Sequence, residues 1–554
     1  MAMLAVSIGF AIAVRIGGLL LIANFGLFAA VFFIQHYKLQ GIWKKPNNAL
    51  FQKMFVQGLV VVIGGYLLAL LLWPYALVSP IANVTKTFSE MSAFAIAIRQ
   101  NFEGLMQWSD FLPWYYTPKF ILMTVSLALL IGLILFFTLL WKDKKNYFWY
   151  FIVFFSFAFP IFWIIYTGAN VYGGWRHALF AYPPMVVAAG LGFELLVTRL
   201  SQLKFLSSQI KNIPFFGIAL AVGLLSNPII HTFKNHPYQY VYFNQMFGGV
   251  KNAYGNYELD YYYHSTREAS EWVIKHAEKT GLETTDKIKV ATWHPFSVGY
   301  FFRNDTAKFE VGFSRWSERG NNDWDYAIFT VTGMSPDMLK NPDVFPPANT
   351  VYEIKVDKKP IAIVLKRTDK SDYYSNIFRR EGNLDSALIF MRKALAISPS
   401  DESVLLNFGE VFLNNRQNDS AVFYLDKLLA FDPKNESANY YMAYALMFQN
   451  RLDDAQKHLQ VIVNHNPKND VAPWMSAQIS AQQGNLLLME KMLERALIAN
   501  AGKQQEALNL MQQVYPQMGL SANDATMAFT RIWIRVLDKL GYKKEAEQLK
   551  NQRR

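Results

Sequence analysis

ESVLLNFGEVFLNNRQNDSAVFYLDKLLAFDP, residues 402–433, is one copy of a pattern that returns every 34 residues in the C-terminal part of the chain. An alanine, a proline and an aspartate keep that step, at Ala387, Ala421 and Ala455, at Pro399, Pro433 and Pro467, and at Asp385, Asp419 and Asp453. Alanine permits the close approach of two antiparallel helices, and proline ends the second helix before the next unit begins. The pattern therefore predicts a stack of helix pairs.

A 34-residue helix-pair unit is the signature of the tetratricopeptide (TPR) repeat, which this stretch resembles. The residues at the expected offsets are Leu405, Phe408, Gly409, Phe412, Ala421, Leu425, Leu428 and Pro433. A degenerate fourth unit has Gly484 in phase with Gly382, but Met489 and Ala501 replace the alanine and the proline. We expect residues 371–554 to form an α-solenoid of TPR repeats with a helical cap, which docks a protein partner or acceptor.

Apolar residues concentrate before residue 232, in runs too long for ordinary core helices. Six such segments are 1–34, 55–79, 120–141, 147–167, 178–198 and 213–231. The first contains Arg15, and the glycines that follow it, Gly17 and Gly18, permit a break in the helix. We predict a polytopic α-helical membrane domain of about six spans over residues 1–231.

Basic residues occupy every second loop between these segments, and three such loops carry +9 of the net charge of +12. They contain Lys38, Lys44, Lys45 and Lys53, then Lys142, Asp143, Lys144 and Lys145, and then Arg199, Lys204 and Lys211. This positive-inside asymmetry predicts an inner (plasma) membrane protein with residues 232–554 on the extracytoplasmic, periplasmic side. If each of the six segments crosses the membrane once, residue 1 falls on the outer side of the membrane. Because the excess charge lies in membrane loops, we expect no nucleic-acid partner.

Residues 232–370 carry a mixed pattern that predicts a small extracytoplasmic α/β domain. A helix is expected over residues 265–277, and strands over 289–293, 326–331, 351–356 and 361–365. DKKP at residues 357–360 predicts a turn between the last two strands. The chain has no cysteine, which excludes disulfides and thiolate metal sites.

The turn YGGWRH, residues 172–177, places a guanidinium, an imidazole and an indole between two apolar segments. Arg176 and His177 suit either a phosphate site or an anchor on lipid headgroups, since a cation near a bilayer needs a partner. The same two alternatives apply to Arg15. Tyr172 and Trp175 suit either stacking on a sugar or the aromatic belt of the membrane interface.

The outer loop 80–118 contains the acidic residues that a glycosyl transfer would need as a general base. Glu103 and Asp110 are weak candidates, because nothing in their spacing separates them from solvated loop charges. A further set of histidines and acids has no metal-ligand spacing, and no divalent metal is indicated; its members are His236, Glu258, Asp260 and His264.

Three stretches together resemble the polyprenyl-phosphate-sugar-dependent glycosyltransferases of the GT-C fold, close to the protein mannosyltransferase-like enzymes. They are YGGWRHALFAYPP from residue 172, LPWYY at 112–116 and HPYQYVYFNQMFGG at 236–249. The resemblance is close over residues 1–275 and weak over residues 276–370. It implies transfer of a sugar from a polyprenyl-phosphate carrier, the donor, to an extracytoplasmic acceptor. It also implies a carrier-phosphate site that includes Arg15, Tyr172, Trp175, Arg176 and His177, with Trp114 and Tyr115 lining its mouth.

The catalytic acid of that family lies in the first extracytoplasmic loop, and the present sequence has no counterpart to it. We therefore expect the chain to be the C-terminal portion of a longer glycosyltransferase, with membrane lipids, the carrier and a TPR-bound protein as partners. The alternative is a non-enzymatic membrane-anchored TPR scaffold for envelope assembly.

Overall fold

A computed structural model describes residues 1–41, 47–92, 96–203, 213–280 and 286–552. Four lysines of the predicted basic loops lie outside the described residues: Lys44, Lys45, Lys204 and Lys211. The chain is mostly helical and divides into two compact units. The first comprises residues 1–98, 112–234 and 242–247, and the second comprises 99–111, 235–241 and 248–554. The predicted boundaries at residues 231 and 370 stay a prediction.

The described residues of the first unit form helices and connecting segments, with no strand among them. Its helices are α1 (Ala2–Val14), α2 (Leu19–Gly41), α3 (Asn47–Leu72), α4 (Pro74–Val78), α5 (Ala82–Ser92), α6 (Tyr116–Thr124), α7 (Leu127–Leu139), α8 (Tyr147–Tyr166), α9 (Tyr182–Gln202) and α10 (Ile213–Lys234). Among the described residues, five helical segments are long and apolar enough to cross a membrane, and a bent pair would make six. The pair is α6 and α7, which meet at 114°.

The first apolar segment is two helices, with the break that the glycines after Arg15 permit, and the candidate span within it begins at Ile16. Arg15 has an extended backbone (φ −156°, ψ 132°) between α1 and a short 3₁₀ turn. A side chain at Gly18 would place its Cβ 2.6 Å from the Ala11 carbonyl carbon, so this turn needs glycine there. The break thus follows from the arginine and glycines that the sequence already displayed.

Helix α1 packs along α3 and runs in the same direction. Ala5 lies beside Gly65, Gly9 lies beside Leu68, and Ile16 packs with Leu70 near the end of α3. The C-terminal end of α1 therefore adjoins the C-terminal end of α3. The prediction that residue 1 falls on the outer side of a membrane stays a prediction.

Helices α7 and α9 cross at small residues. A Cβ at Gly192 would lie 2.0 Å from the Gly132 carbonyl oxygen, and a Cβ at Gly132 would lie 2.6 Å from the Ala189 side chain. Small residues let helix backbones approach closely enough for dense van der Waals contact in an apolar medium. Phe136, which is fully buried, fills the space beside this contact.

The second unit begins with a hairpin and a five-stranded sheet. Its elements up to residue 366 are β1 (Arg99–Phe102), β2 (Leu105–Trp108), α11 (Gly249–Ala253), α12 (Ser265–Lys279), β3 (Ile288–Thr292), α13 (Pro295–Phe302), β4 (Phe309–Phe313), β5 (Tyr326–Thr330), α14 (Pro336–Lys340), β6 (Thr350–Val356) and β7 (Lys359–Lys366). The sheet order is β4-β3-β5-β7-β6, with β4, β3 and β5 parallel and the other pairs antiparallel. The predicted helix and four predicted strands are confirmed, whereas the sequence did not reveal β1, β2 and β4.

Helix pairs follow the sheet, and they confirm the 34-residue repeat. The helices are α15 (Ser371–Arg380), α16 (Leu384–Ile397), α17 (Glu402–Asn414), α18 (Asn418–Phe431), α19 (Glu436–Phe448), α20 (Leu452–His465), α21 (Val471–Gln482), α22 (Leu486–Ala499), α23 (Gln504–Gln517), α24 (Ala522–Leu540) and α25 (Lys543–Gln552). The repeated alanines are fully buried, and a Cβ at Gly409 would lie 2.5 Å from the Leu425 side chain. The spacing of small residues thus sets the helix-to-helix distance.

Buried charges join the α/β segment to the first repeats within this unit. Arg319 lies 2.9 Å from Asp401 and 3.8 Å from Glu402, and Arg367 lies 2.6 Å from Asp372. Burial raises the pKa of Glu402 to about 7. The charge of Arg319 lowers this pKa, and the charge of Asp432 raises it. These charged groups form a polar core between the α/β segment and the first repeats.

We expect Gly192→Ala to lower the thermal stability of the first unit. The added methyl group would meet the Gly132 carbonyl, and overpacking of this kind costs about 1–3 kcal/mol. Thermal unfolding of the purified protein in detergent measures the effect. Gly190→Ala is the matched control, since its Cβ would have no neighbour within 4 Å. Equal melting temperatures for the two variants would contradict the close contact.

Glu402 makes the stability of the second unit depend on pH. In the folded protein the pKa of Glu402 is about 7, above its ordinary value of 4.5. The protonated carboxyl therefore adds to the free energy of unfolding, and this contribution is fully present below the ordinary pKa value. The contribution is lost as the pH rises through about 7. We expect Glu402→Gln to flatten the dependence of the unfolding midpoint on pH across this window. The control is Glu547→Gln, which changes an exposed carboxyl. If Glu402→Gln left the pH dependence of the unfolding midpoint unchanged, the raised pKa of Glu402 would be refuted.

Candidate anion site at the Tyr172–His177 turn

Glycines shape the turn between α8 and α9. Gly173 and Gly174 both have positive φ (63° and 67°), a conformation that residues with side chains rarely adopt. A Cβ at Gly173 would also lie 3.1 Å from the Arg176 guanidinium. The chain then enters a 3₁₀ helix, Arg176–Ala181, that leads directly into α9. The paired glycines therefore bring the Arg176 side chain back over the turn.

Two side chains of α6 hold the turn in place. The Gly174 N–H donates to the Tyr116 hydroxyl at 3.1 Å, and the Trp175 indole N–H donates to Thr124 Oγ1 at 2.8 Å. Tyr116 is only 2% exposed, so the first of these bonds is shielded from water. The sequence reasoning missed both anchors, although Tyr116 belongs to the LPWYY stretch.

The cations of the site come from distant parts of the chain. Arg15 Nη2 lies 3.4 Å from His177 Nδ1, across a sequence separation of 162 residues. The Tyr172 ring lies 4.7 Å from the His177 ring, and the Arg176 guanidinium stacks over Tyr172 at 4.6 Å. Four of the predicted site residues therefore meet at one place, which joins the α1–α2 break to the turn before α9.

The contact with Arg15 bears on the tautomer of the imidazole. A guanidinium has no acceptor, so in the tautomer that accepts from Arg15 the Nδ1 atom is unprotonated and Nε2 carries the proton. Nε2 is buried and has no hydrogen-bond partner among the described residues. The site therefore offers an unsatisfied N–H donor beside two guanidinium groups, an arrangement suited to an anion.

The other predicted site residues have different surroundings. The Trp175 indole is held by Thr124 and packs 5.8 Å from the Tyr182 ring, which favours a structural role over stacking on a sugar. Trp114 is 71% exposed and lies edge-on to Tyr115. Trp114 is exposed and Tyr115 is half-buried, and their role as mouth residues stays a prediction.

The two weak acidic candidates belong to the hairpin of the second unit. Glu103 occupies the β1–β2 turn with φ 56°, and Asp110 forms a 2.7 Å salt bridge with Lys468. That salt bridge occupies the carboxylate a general base would use. The hairpin is also held by Arg99, which pairs with Glu436, and by Trp108, which donates to Asn466 at 2.8 Å.

The histidines and acids that lack metal-ligand spacing make hydrogen bonds within turns. Asp260 accepts from the hydroxyls of Tyr240 and Ser265 and from the His264 N–H at the start of α12. Burial raises the pKa of Asp260, and these donors act against that rise. His236 lies 2.5 Å from the Gln239 amide nitrogen. Within the described ranges, no three His, Cys, Asp or Glu residues cluster closely enough to hold a metal ion.

Comparison with known proteins identifies the repeats. The tetratricopeptide repeat family (TPR_19) matches residues 412–478. The crystal structure of MamA is 20% identical, covering 31% of this chain and 96% of that one, with a TM-score of 0.26. YrrB, "a TPR protein with an unusual peptide-binding site", is 17% identical over 33% of this chain and 92% of its own, with a TM-score of 0.27. TTC0263, a thermophilic TPR protein of Thermus thermophilus, is 18% identical over 31% and 92%, with a TM-score of 0.22.

No curated protein matches the chain. The chain therefore contains a TPR repeat domain, and such repeats are protein-interaction modules. The comparisons give no support to the glycosyltransferase resemblance of the first unit.

We expect Tyr116→Phe to destabilise the turn. The substitution leaves the Gly174 N–H without its acceptor, and an unsatisfied buried amide costs about 1–3 kcal/mol. A lowered melting temperature in detergent would show the loss. Tyr166→Phe, which removes a hydroxyl from a side chain that is 72% exposed, should change little. Equal effects of the two variants would refute the anchoring role.

Proposed function

We propose that the chain is a membrane glycosyltransferase of the GT-C type that binds a polyprenyl-phosphate-linked sugar as donor. The observation that supports this proposal is the meeting of Arg15, Arg176 and His177 at one turn. The acceptor is extracytoplasmic, and the TPR repeats bind a protein partner or that acceptor.

Electrostatics favours a phosphate at this place over simple lipid anchoring. Here Arg15 contacts His177, and Arg176 stacks on the Tyr172 ring that borders the same imidazole. An anion near this imidazole could accept from both guanidinium groups, and phosphate oxygens accept from guanidinium and imidazole donors alike.

The proposed orientation follows from charge and hydropathy. The apolar helices cross an inner (plasma) membrane, and the lysine-rich loops stay in the cytoplasm. Residues 232–554 then lie on the periplasmic side, which is also the side on which carrier-linked sugars are transferred by the enzymes that the first unit resembles.

The residues of the turn would bind the carrier, and none of them is assigned as the catalytic base. Asp110 is engaged by Lys468, and Glu103 stays a weak candidate at the hairpin turn. The second candidate function is therefore a non-enzymatic membrane scaffold, favoured by the TPR domain, which serves protein interaction without any chemistry in the first unit.

Binding of a fluorescent polyprenyl phosphate to the protein in nanodiscs tests the first proposal. We expect Arg15→Gln, Arg176→Gln and His177→Gln each to weaken binding by roughly 10- to 100-fold, since a lost charge-assisted hydrogen bond is worth about 1.5–3 kcal/mol. Arg199→Gln is the control, because its guanidinium is already bound to the Lys142 carbonyl and Gln202.

Equal affinity of all four variants would contradict a carrier site and leave the scaffold. Release of labelled sugar from a polyprenyl-phosphate donor, measured in the same nanodiscs, separates an enzyme from a protein that only binds the carrier.

A further inference from the structure

One edge of the five-stranded sheet exposes aromatic side chains to an unusual degree. Phe296, in the first turn of α13, is 94% exposed, and Phe313, the last residue of β4, is 53% exposed. Tyr262 is 43% exposed. Large aromatic side chains normally dominate cores and interfaces, so such exposure indicates a surface with a partner.

The three aromatic residues share this edge. In the parallel pair of β3 and β4, Thr292 lies opposite Phe313, so both strands end together. Phe296 follows the end of β3 by four residues. Tyr262 precedes Tyr263, whose ring stacks at 3.8 Å on His294, the residue before α13. We name Tyr262, Phe296 and Phe313 the aromatic edge.

The chain enters the second unit at the same edge of the sheet. Asn235 follows Lys234, the last residue of the candidate span in α10. Its amide side chain donates to Asp357 at 3.2 Å and accepts from the Asp357 N–H at 3.3 Å. Asp357 lies in the β6–β7 turn, and β7 starts beside the end of β5, where Thr330 pairs with Ala362. One peptide bond therefore separates a candidate membrane helix from a residue fixed at this edge.

Basic side chains lie at the same end of the sheet strands as the aromatic ones. Arg315 is exposed, follows Phe313 by two residues and has its guanidinium 5.9 Å from the Phe313 ring. Lys358 is exposed in the β6–β7 turn. Glu318 pairs with Arg315 at 2.8 Å, so the edge is mixed in charge and not purely basic. Aromatic rings with flanking cations are the composition of a membrane–water interface.

We propose that the aromatic edge is a membrane-contacting surface, with Phe296 and Phe313 inserted among the lipid headgroups and Arg315 and Lys358 at the level of the phosphates. A lipid surface fits better than a protein partner because the edge is tethered within one residue of a span. This inference goes beyond sugar transfer and rests only on the part of the proposed function that places the apolar helices in a bilayer.

The absence of cysteine from the chain makes a site-specific test simple. Single variants Phe296→Cys and Phe313→Cys of the full chain carry an environment-sensitive fluorophore in nanodiscs that contain spin-labelled phospholipid. Ile218→Cys, at a 63% exposed position in α10, is the control for lipid contact. Ile389→Cys and Leu487→Cys, at positions 61% and 81% exposed on repeat helices, are the controls for water.

We expect the spin label to quench the fluorophore at residues 218, 296 and 313. We expect no quenching at residues 389 and 487. Quenching at 218 without quenching at 296 and 313 overturns the inference and leaves the membrane spans intact. A blue-shifted but unquenched emission at 296 also overturns it, because a protein then covers the edge. No quenching at 218 overturns both the spans and the inference. Size-exclusion profiles matching the parent chain show that each variant is folded.

Discussion

The approach of the Gly132 and Gly192 backbones is the constraint on which the candidate anion site depends. Helix α7, which carries Gly132, follows α6 after two residues, and α6 supplies the two side chains that hold the turn. Helix α9, which carries Gly192, follows the 3₁₀ helix that begins at Arg176. A fixed contact between α7 and α9 therefore fixes the turn against its anchors.

The site also requires the break in the first apolar segment. A continuous helix over residues 1–34 would leave Arg15 in the middle of an apolar span, where a charge is costly. The extended backbone at Arg15 and the glycine turn after it end α1 and expose the guanidinium, which then reaches His177. Two features that look like defects in a membrane helix thus supply one of the two guanidinium groups near the imidazole.

The sequence predicted what depends on periodicity and missed what depends on distant contacts. The 34-residue step predicted the repeat helices, and alternation predicted four of the strands, since both patterns are local. It also identified Arg15, Arg176 and His177 as cations in apolar surroundings, but nothing local showed that Arg15 and His177 meet. The hairpin β1–β2 escaped prediction because its short strands are stabilised by Glu436, Asn466 and Lys468, far along the chain.

That hairpin also sets an order of events during synthesis. Trp108 bonds to Asn466 across 358 residues, so its partner is made long after the hairpin has left the ribosome. At about 5–20 residues per second, the wait is roughly 20 to 70 seconds. During that time the strands of 99–111 lack the repeat surface that stabilises them, and their unpaired edges are open to other chains. The hairpin therefore gains its stabilising contacts only once the third repeat has been synthesised.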